Sequence, residues 1–203
     1  TVFDSEIFGG AGGPTPILLS CTDKQKENYL APLMKGAVTT CFGLSEPGAG
    51  SDATNIATTA AKKGDKWILN GRKHYITNGP SADFSMVFAS TDKAKGARGG
   101  ITCFLVDRDA PGADFDHPQP TMDGNGWVGE LVFEDCEVPA DNVLGQVGFG
   151  FALAMHWIND GRLNIGASSV GIAKRMLKIS LDYARQRVAF GQPISNYQLI
   201  QAM

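Results

Sequence analysis

The residues best suited to bind a ligand fall in a few segments. Leu44-Ser45-Glu46-Pro47-Gly48-Ala49-Gly50-Ser51-Asp52 follows the apolar run Val38 to Leu44 and combines glycine, proline and serine. Such a loop can present backbone N–H groups and hydroxyls to an anionic or hydrogen-bonding ligand. It has neither the Gly-Lys-Ser/Thr of a Walker A loop nor the G-x-G-x-x-G of a dinucleotide fold. By composition alone, a tight surface turn is the simpler reading. Tyr75-Ile76-Thr77-Asn78-Gly79 sets an aromatic ring and a hydroxyl two residues apart, on one face of a strand. That face could stack on a planar ring and hydrogen-bond its edge; the plainer reading is a strand that stops at Asn-Gly. Asp160-Gly161-Arg162 lies in a helical stretch, and Arg187, Phe190-Gly191 and Gln198 flank a break between two helices. Arginine at a helix C-terminus offsets the dipole and can also contact an anion.

The elements that must carry these residues show in the hydrophobic pattern. Residues 1–37 read as loop and helix. Thr22 with Gln25 opens a helix as a capping box, Tyr29, Leu30 and Leu33 share a face, and Lys35-Gly36 closes it. Residues 38–148 read as β-structure. A hairpin turns at Gly64-Asp65 between 58–62 and 66–69, Asn70-Gly71 gives the strongest short turn signal, and 84–89, 101–106 and 130–133 are further strands. Short strands without intervening helices predict an antiparallel barrel or sandwich. Residues 149–203 change period. Ile165, Ile172, Met176, Ile179 and Tyr183 form a helical stripe, and no proline interrupts 151–188. One helix there could run ~55 Å at 1.5 Å per residue. Pro193 breaks it, and Ser195 reads as the N-cap of a further helix. The expected fold class is therefore α+β and multi-domain: a loop-and-helix segment over 1–37, a central antiparallel barrel or sandwich domain over 38–148, and from 149 the opening of a long-helix bundle that stops short of completion.

Composition narrows the functions. Lys and Arg number 18 and Asp and Glu 21 in 203 residues, a net charge of −3, which lacks the broad basic field of a nucleic-acid binder. No apolar run approaches the ~18 residues of a membrane span. Cys21, Cys41, Cys103 and Cys136 include no C-x-x-C pair and read as inert, reduced thiols of an intracellular protein. His74, His117 and His156 have no metal-binding spacing, and no metal site is expected.

Separately these signals are weak; in series they are specific. Ser45-Glu46-Pro47-Gly48-Ala49-Gly50-Ser51-Asp52, Trp67 to Gly71 with Tyr75 to Gly79, Val132-Phe133-Glu134-Asp135 with Val138-Pro139, Asp160-Gly161-Arg162, and Arg187 with Phe190-Gly191 and Gln198 closely resemble the acyl-CoA dehydrogenase family of flavoproteins. The resemblance runs from about Asp23 to Met203. It implies a helical N-terminal domain, a central β-domain, a C-terminal four-helix domain and a homotetrameric or homodimeric assembly. It also implies FAD as cofactor, an acyl-CoA substrate and an electron-transfer flavoprotein as acceptor. Phe42, Leu44 and Ser45 would approach the flavin ring, with Gly50 and Ser51 near the phosphates of FAD or CoA. Tyr75, where the family often has Trp, would join Ile76 and Thr77 in packing on and hydrogen-bonding the flavin. Arg187, Phe190 and Gln198 would reach the FAD of a neighbouring subunit, and Ser51, Asp160 and Arg162 would lie by the acyl-CoA.

The implied chemistry is dehydrogenation across the α,β bond of the thioester, with hydride passing to flavin N5 and a carboxylate taking the α-proton. Most of the family carries that base as a Glu late in the C-terminal domain, here expected beyond Met203. A minority carries it just before the arginine matched by Arg162, where this chain has Gly161, so no catalytic residue is assigned within the chain. The Gly-rich Asp123 to Trp127 departs from the family's Ser/Thr-bearing segment. Same-fold relatives that are acyl-CoA oxidases, flavin monooxygenases or a desulfinase, and a non-catalytic paralogue, are the alternative readings. The implied location is the bacterial cytoplasm or the mitochondrial matrix.

Overall fold

The computed structural model describes residues 15–122, 124 and 126–203. Residues 1–14, expected to be loop and helix, lie outside them. The capping box is present: the Thr22 hydroxyl accepts from the Gln25 N–H at 3.3 Å, and the Gln25 side chain accepts from the Thr22 N–H at 3.0 Å. Helix α1 (Asp23–Gln25) runs through a π-type turn at Lys26–Leu30 into α2 (Ala31–Met34), closed by Lys35 and by Gly36 at φ 67°. The Gln25 amide also donates to the carbonyls of Asp141 and Val143, tying this helix to the β-region.

Eight strands follow: β1 (Thr40–Gly43), β2 (Thr59–Lys63), β3 (Lys66–Thr77), β4 (Phe84–Ser90), β5 (Ile101–Asp107), β6 (Ala113–Pro118), β7 (Val128–Pro139) and β8 (Val143–Leu144). They form one sheet in the order β6-β7-β3-β2-β4-β5-β8, with β1 also on β4. The sheet is mixed, not purely antiparallel. β1 runs parallel to the first half of β4, Thr40 opposite Phe84, and β2 joins the end of β4 in parallel through Thr59 and Ser90. The long excursion between β1 and β4 is what permits a parallel pairing, since a tight hairpin would force the strands antiparallel. Among the described residues no closed barrel forms. Instead β3, β7 and β6 fold over β4 and β5 around a core that includes Leu69, Val87, Val106, Leu131 and Phe133. Trp67 of β3 meets Phe104 of β5 with ring centroids 5.4 Å apart.

Asn70-Gly71 is not a turn. It lies inside β3, where the register with β7 shifts between Leu69 and Gly71. The Asn70 side chain closes a two-bond clasp on Asp135, donating to its carboxylate at 3.1 Å and accepting its N–H at 2.8 Å, while Asp135 takes φ 48°. Gly71 is required by contact: a Cβ there would sit 2.5 Å from Thr58 Oγ1 and 2.6 Å from its Cα. The dipeptide that favours a hairpin here builds a β-bulge.

Helix α3 (Gly150–Gln186) has 37 residues, matching the proline-free stretch. A two-residue hairpin of β9 (Val188–Ala189) and β10 (Gln192–Pro193) follows, then a 3₁₀ turn, Ile194–Asn196, and α4 (Gln198–Gln201). Ser195 is not an N-cap. It lies in the 3₁₀ turn with its carbonyl accepting from the Gln201 amide, and Tyr197 occupies the cap position of α4. Two compact units result, one ending at Trp157 and the other spanning Ile158–Met203.

Candidate functional site

In the first unit, the sheet brings the Ser45 loop to the end of β3. β1 delivers Phe42 half-buried, its ring stacked on Trp157 at 4.1 Å and 26° and tilted on Phe88 at 4.8 Å. Leu44 is buried and Ser45 exposed. Glu46 and Ala49 then exchange backbone hydrogen bonds, both 3.1 Å, closing a tight turn on Pro47-Gly48. Gly50 and Ser51 emerge exposed beyond it. The hydroxyls of Ser45 and Ser51 make no hydrogen bond to any described residue.

The Glu46 carboxylate turns inward. It accepts the N–H groups of Ala57 and, at 3.1 Å, Thr58, so it binds the far end of its own loop. It also pairs with Lys73 of β3, Oε1 to Nζ 2.7 Å, with 4% and 0% of the two side chains exposed. The Lys73 ammonium donates again to the Leu44 carbonyl at 3.2 Å, and the next residue, His74, donates its N–H to the Ser45 carbonyl at 2.9 Å. Burial pushes the Lys73 ammonium down to about 8, only partly opposed by Glu46. Burial pushes the Glu46 carboxyl up, but the Lys73 charge and hydrogen bonds from Lys73, Thr58 and Ala57 outweigh it and hold it below the usual range.

At the end of β3, the register with β7 shifts again between Lys73 and Ile76, and Tyr75 takes φ 55°. The shift sends Tyr75 and Thr77 outward on either side of buried Ile76, with Tyr75 64% exposed. The His74 ring stands edge-on to Tyr75 at 4.0 Å, and its Nδ1 lies 2.6 Å from Glu130. Asn78, in the left-handed region at φ 64°, ends the strand and donates its side-chain amide to the Thr40 carbonyl at 3.0 Å. Three bonds, from Lys73, His74 and Asn78, thus lace the β1 end and the Ser45 loop to the end of β3.

The second unit carries the other candidates. Asp160, Gly161 and Arg162 lie on α3, where Arg162 is exposed and donates to the Asn159 side chain at 2.8 Å. A Cβ at Gly161 would meet nothing within 4 Å. Arg187 follows the end of α3, and its carbonyl accepts from the Ile194 N–H across the hairpin at 2.8 Å. Phe190 and Gly191 form the tip with φ 50° and 83°, a primed turn that leaves the Phe190 ring 98% exposed. Gln198 opens α4 and is exposed.

Two family models match the chain: acyl-CoA dehydrogenase, middle domain, over residues 41–136, and acyl-CoA dehydrogenase, C-terminal domain, over residues 148–203. The chain belongs to the acyl-CoA dehydrogenase family. It is 44% identical over 191 residues to a 3-(aryl)acrylate reductase of Clostridium sporogenes, covering 92% of this chain and 50% of that protein. It is 42% identical over 187 residues to the mitochondrial short-chain specific acyl-CoA dehydrogenase of Homo sapiens, covering 92% and 45%. The solved structure of butyryl-CoA dehydrogenase from Megasphaera elsdenii superposes with a TM-score of 0.81 at 41% identity, covering 92% and 49%. The chain spans about half the length of the relatives it matches.

Within this chain, Phe42, Leu44, Ser45, Tyr75, Ile76 and Thr77 come together at one end of the sheet, and Gly50 and Ser51 stand further along the same loop. Arg187, Phe190 and Gln198 gather on the hairpin module, with Asp160 and Arg162 farther back along α3. Asp123 and Asn125 of the Gly-rich segment lie outside the described residues. Sequence reasoning missed three features: the Glu46–Lys73 pair, the His74–Glu130 contact under Tyr75, and Trp157 on Phe42. A usable signal existed for the first. Lys73 continues the inward phase of Trp67 and Leu69 along β3, so a lysine there needs a buried anion. Among the described residues, no cluster of His, Cys, Asp or Glu could hold a metal ion, and no helix is long and apolar enough to cross a membrane.

Proposed function

We propose that this chain contributes the FAD-facing β-domain and the opening helix of an acyl-CoA dehydrogenase that oxidises the α,β bond of an acyl-CoA thioester. One observation carries the reading. The Ser45 loop is held to the end of β3 by the Lys73 and His74 bonds to the Leu44 and Ser45 carbonyls, and Asn78 fastens the start of β1 at Thr40, leaving an exposed aromatic ring with free hydroxyls and buried Leu44 and Ile76. The donor set fits a flat heterocycle with a polar edge. The hydroxyls of Ser45 and Thr77 are unengaged by the described residues, and the Tyr75 ring offers a π-face.

In this reading Phe42, Leu44, Ser45, Tyr75, Ile76 and Thr77 hold the isoalloxazine of FAD, and Gly50 and Ser51 serve its phosphates or those of CoA. Arg187, Phe190 and Gln198 serve the FAD of a neighbouring subunit in a homotetramer or homodimer, and Asp160 and Arg162 lie toward the acyl-CoA. Bound FAD would supply the two-electron acceptor for the β-hydrogen, which would leave as hydride, and an electron-transfer flavoprotein would take up the electrons. The chain's part is to bind and orient: hydroxyl donors fix the polar edge, and buried Leu44 and Ile76 keep water from the apolar face. Gly161 has no carboxylate; by the family resemblance the α-proton would go to a Glu late in the C-terminal domain. The acyl-CoA dehydrogenase named for Homo sapiens and the reductase named for Clostridium sporogenes support chemistry on an α,β bond.

The test is direct. FAD is added to the purified full-length protein that carries this chain, free cofactor is removed by gel filtration, and the visible spectrum is recorded. A retained flavin band that Ser45→Val and Thr77→Val weaken supports the reading; a colourless protein at saturating FAD refutes it. Anaerobic bleaching by a panel of acyl-CoA thioesters, with the partner domains supplied as the full-length protein, then reports the substrate.

A further inference from the structure

Lys73 is among the largest fully buried side chains of the described residues, and a buried ammonium is costly unless its partners are held in place. Its stem runs beside Gly43, where a Cβ would lie 3.5 Å from Lys73 Cγ. Its ammonium ends between two acceptors of one loop, the Leu44 carbonyl and the Glu46 carboxylate. Glu46 in turn grips the N–H groups of Ala57 and Thr58 at the loop's other end. The cation therefore stands at the centre of a loop whose first exposed side chain is Ser45. Surface residues could have closed the loop; placing the ion pair beneath it fixes its backbone where solvent cannot compete.

We propose that Lys73 is a positioning residue for the flavin-facing loop. Through Leu44 O and Glu46 Oε1 it sets where the backbone of Leu44 to Glu46, and with it the Ser45 hydroxyl, stands against bound isoalloxazine. Glu46 is its counter-ion and the strut that fastens the loop's return. The inference rests on the FAD reading above and adds to it a pair of charges that touch neither cofactor nor substrate. A lysine at this inward position of β3 therefore acts on the cofactor through one carbonyl and one carboxylate.

The experiment uses the full-length protein with Lys73→Met and with the double variant Glu46→Gln/Lys73→Met, which removes both charges and avoids an orphaned carboxylate. Hydrogen exchange is followed at the amides of Ala49 and His74, which bond within and onto the loop, and at Val87 and Phe104 in the core strands as controls. Visible spectra and FAD affinity are measured on the same samples. The expected result for the double variant is intact core protection, exchange about 10-fold or more faster at Ala49 and His74, a displaced flavin absorption maximum and FAD affinity weakened about 10-fold or more, the effect of losing a hydrogen bond from a charged donor. Wild-type exchange at Ala49 and His74 in that variant overturns the positioning role, as does fast exchange with an unchanged flavin spectrum and affinity. A wild-type full-length protein that takes up no FAD overturns the cofactor reading itself, an outcome visible before any variant is made.

Discussion

The Ser45 loop and helix α3 solve opposite problems. The loop is rich in glycine and polar residues, yet its fold is fixed from below by an ion pair sealed from water. Helix α3 has a strong apolar stripe, yet Leu163, Ile165, Val170, Met176, Leu177 and Tyr183 all stand exposed in this chain. The intrahelical ion pair Lys178–Asp182, at 3.0 Å, is also exposed. Apolar periodicity states which residues seek burial, and a helix that long gains most of its stability from packing against other elements. Polar composition, conversely, does not make a loop loose. What decides rigidity is whether a segment's polar groups find partners within the same unit.

The largest break of that contrast is Lys73→Met. It leaves the Glu46 carboxylate buried without its cation, and we expect a loss of about 3–5 kcal/mol in denaturant unfolding of the β-unit. Glu46→Gln on top should recover most of it, because two neutral groups replace an orphaned charge. The matching change on α3, Lys178→Ala, should cost no more than about 0.5 kcal/mol, the size of an exposed i,i+4 pair. Equal costs at the two sites would mean that burial does not separate these ion pairs.

The pH dependence sharpens the same point. Folded Lys73 releases its proton at about 8, against 10.5 for a free lysine. Between those values the unfolded chain binds more protons than the folded one, so stability from this group rises with pH and its cost is fully present below about pH 8. Cys21 and Cys136, pushed up to about 11 by burial, act the other way, since the folded state then holds protons the unfolded chain gives up. The difference between wild type and Glu46→Gln/Lys73→Met isolates the lysine. That difference should move in favour of wild type by on the order of a few kcal/mol between pH 8 and 10 in urea titrations. A flat difference would show that Lys73 titrates as a solvated amine.

Much of the fold was legible in the sequence because it rests on local rules. The capping box at Thr22, the hairpin at Gly64-Asp65 and the unbroken 37 residues of α3 each follow from neighbouring residues. Apart from the local cap at Ser195, the errors arose where distant segments decide. Asn70-Gly71 becomes a bulge because Asp135, 65 positions on, supplies both bonds of the clasp and Thr58 fills the space over Gly71. The parallel pairing of β1 with β4 depends on the whole excursion between them. At the site, the Ser45 and Tyr75 segments were legible as motifs. Lys73 escaped notice because a charge in a β-strand reads as solvated until its phase against Trp67 and Leu69 is followed. Trp157 escaped it because its ring partner, Phe42, lies over a hundred residues away.

Two glycines give the finest comparison. Gly71 and Gly166 both sit inside regular elements, where glycine normally costs stability relative to alanine. At Gly71 a methyl would meet Thr58 backbone and side chain well inside contact distance, at φ 149°, so Gly71→Ala should cost about 3 kcal/mol by overpacking. At Gly166 of α3 a Cβ would meet nothing within 4 Å, and the backbone is helical. Gly166→Ala should therefore raise stability by about 0.5–1 kcal/mol, seen as a higher midpoint in thermal melting of the helical signal. The sign of that small change is informative. A gain means the Gly166 face of α3 stays open in the protein under test. A loss in the assembled oligomer, with a gain in the isolated chain, would mean that a packing partner comes close enough over Gly166 to leave no room for a methyl, and would place a helix crossing at that turn of α3.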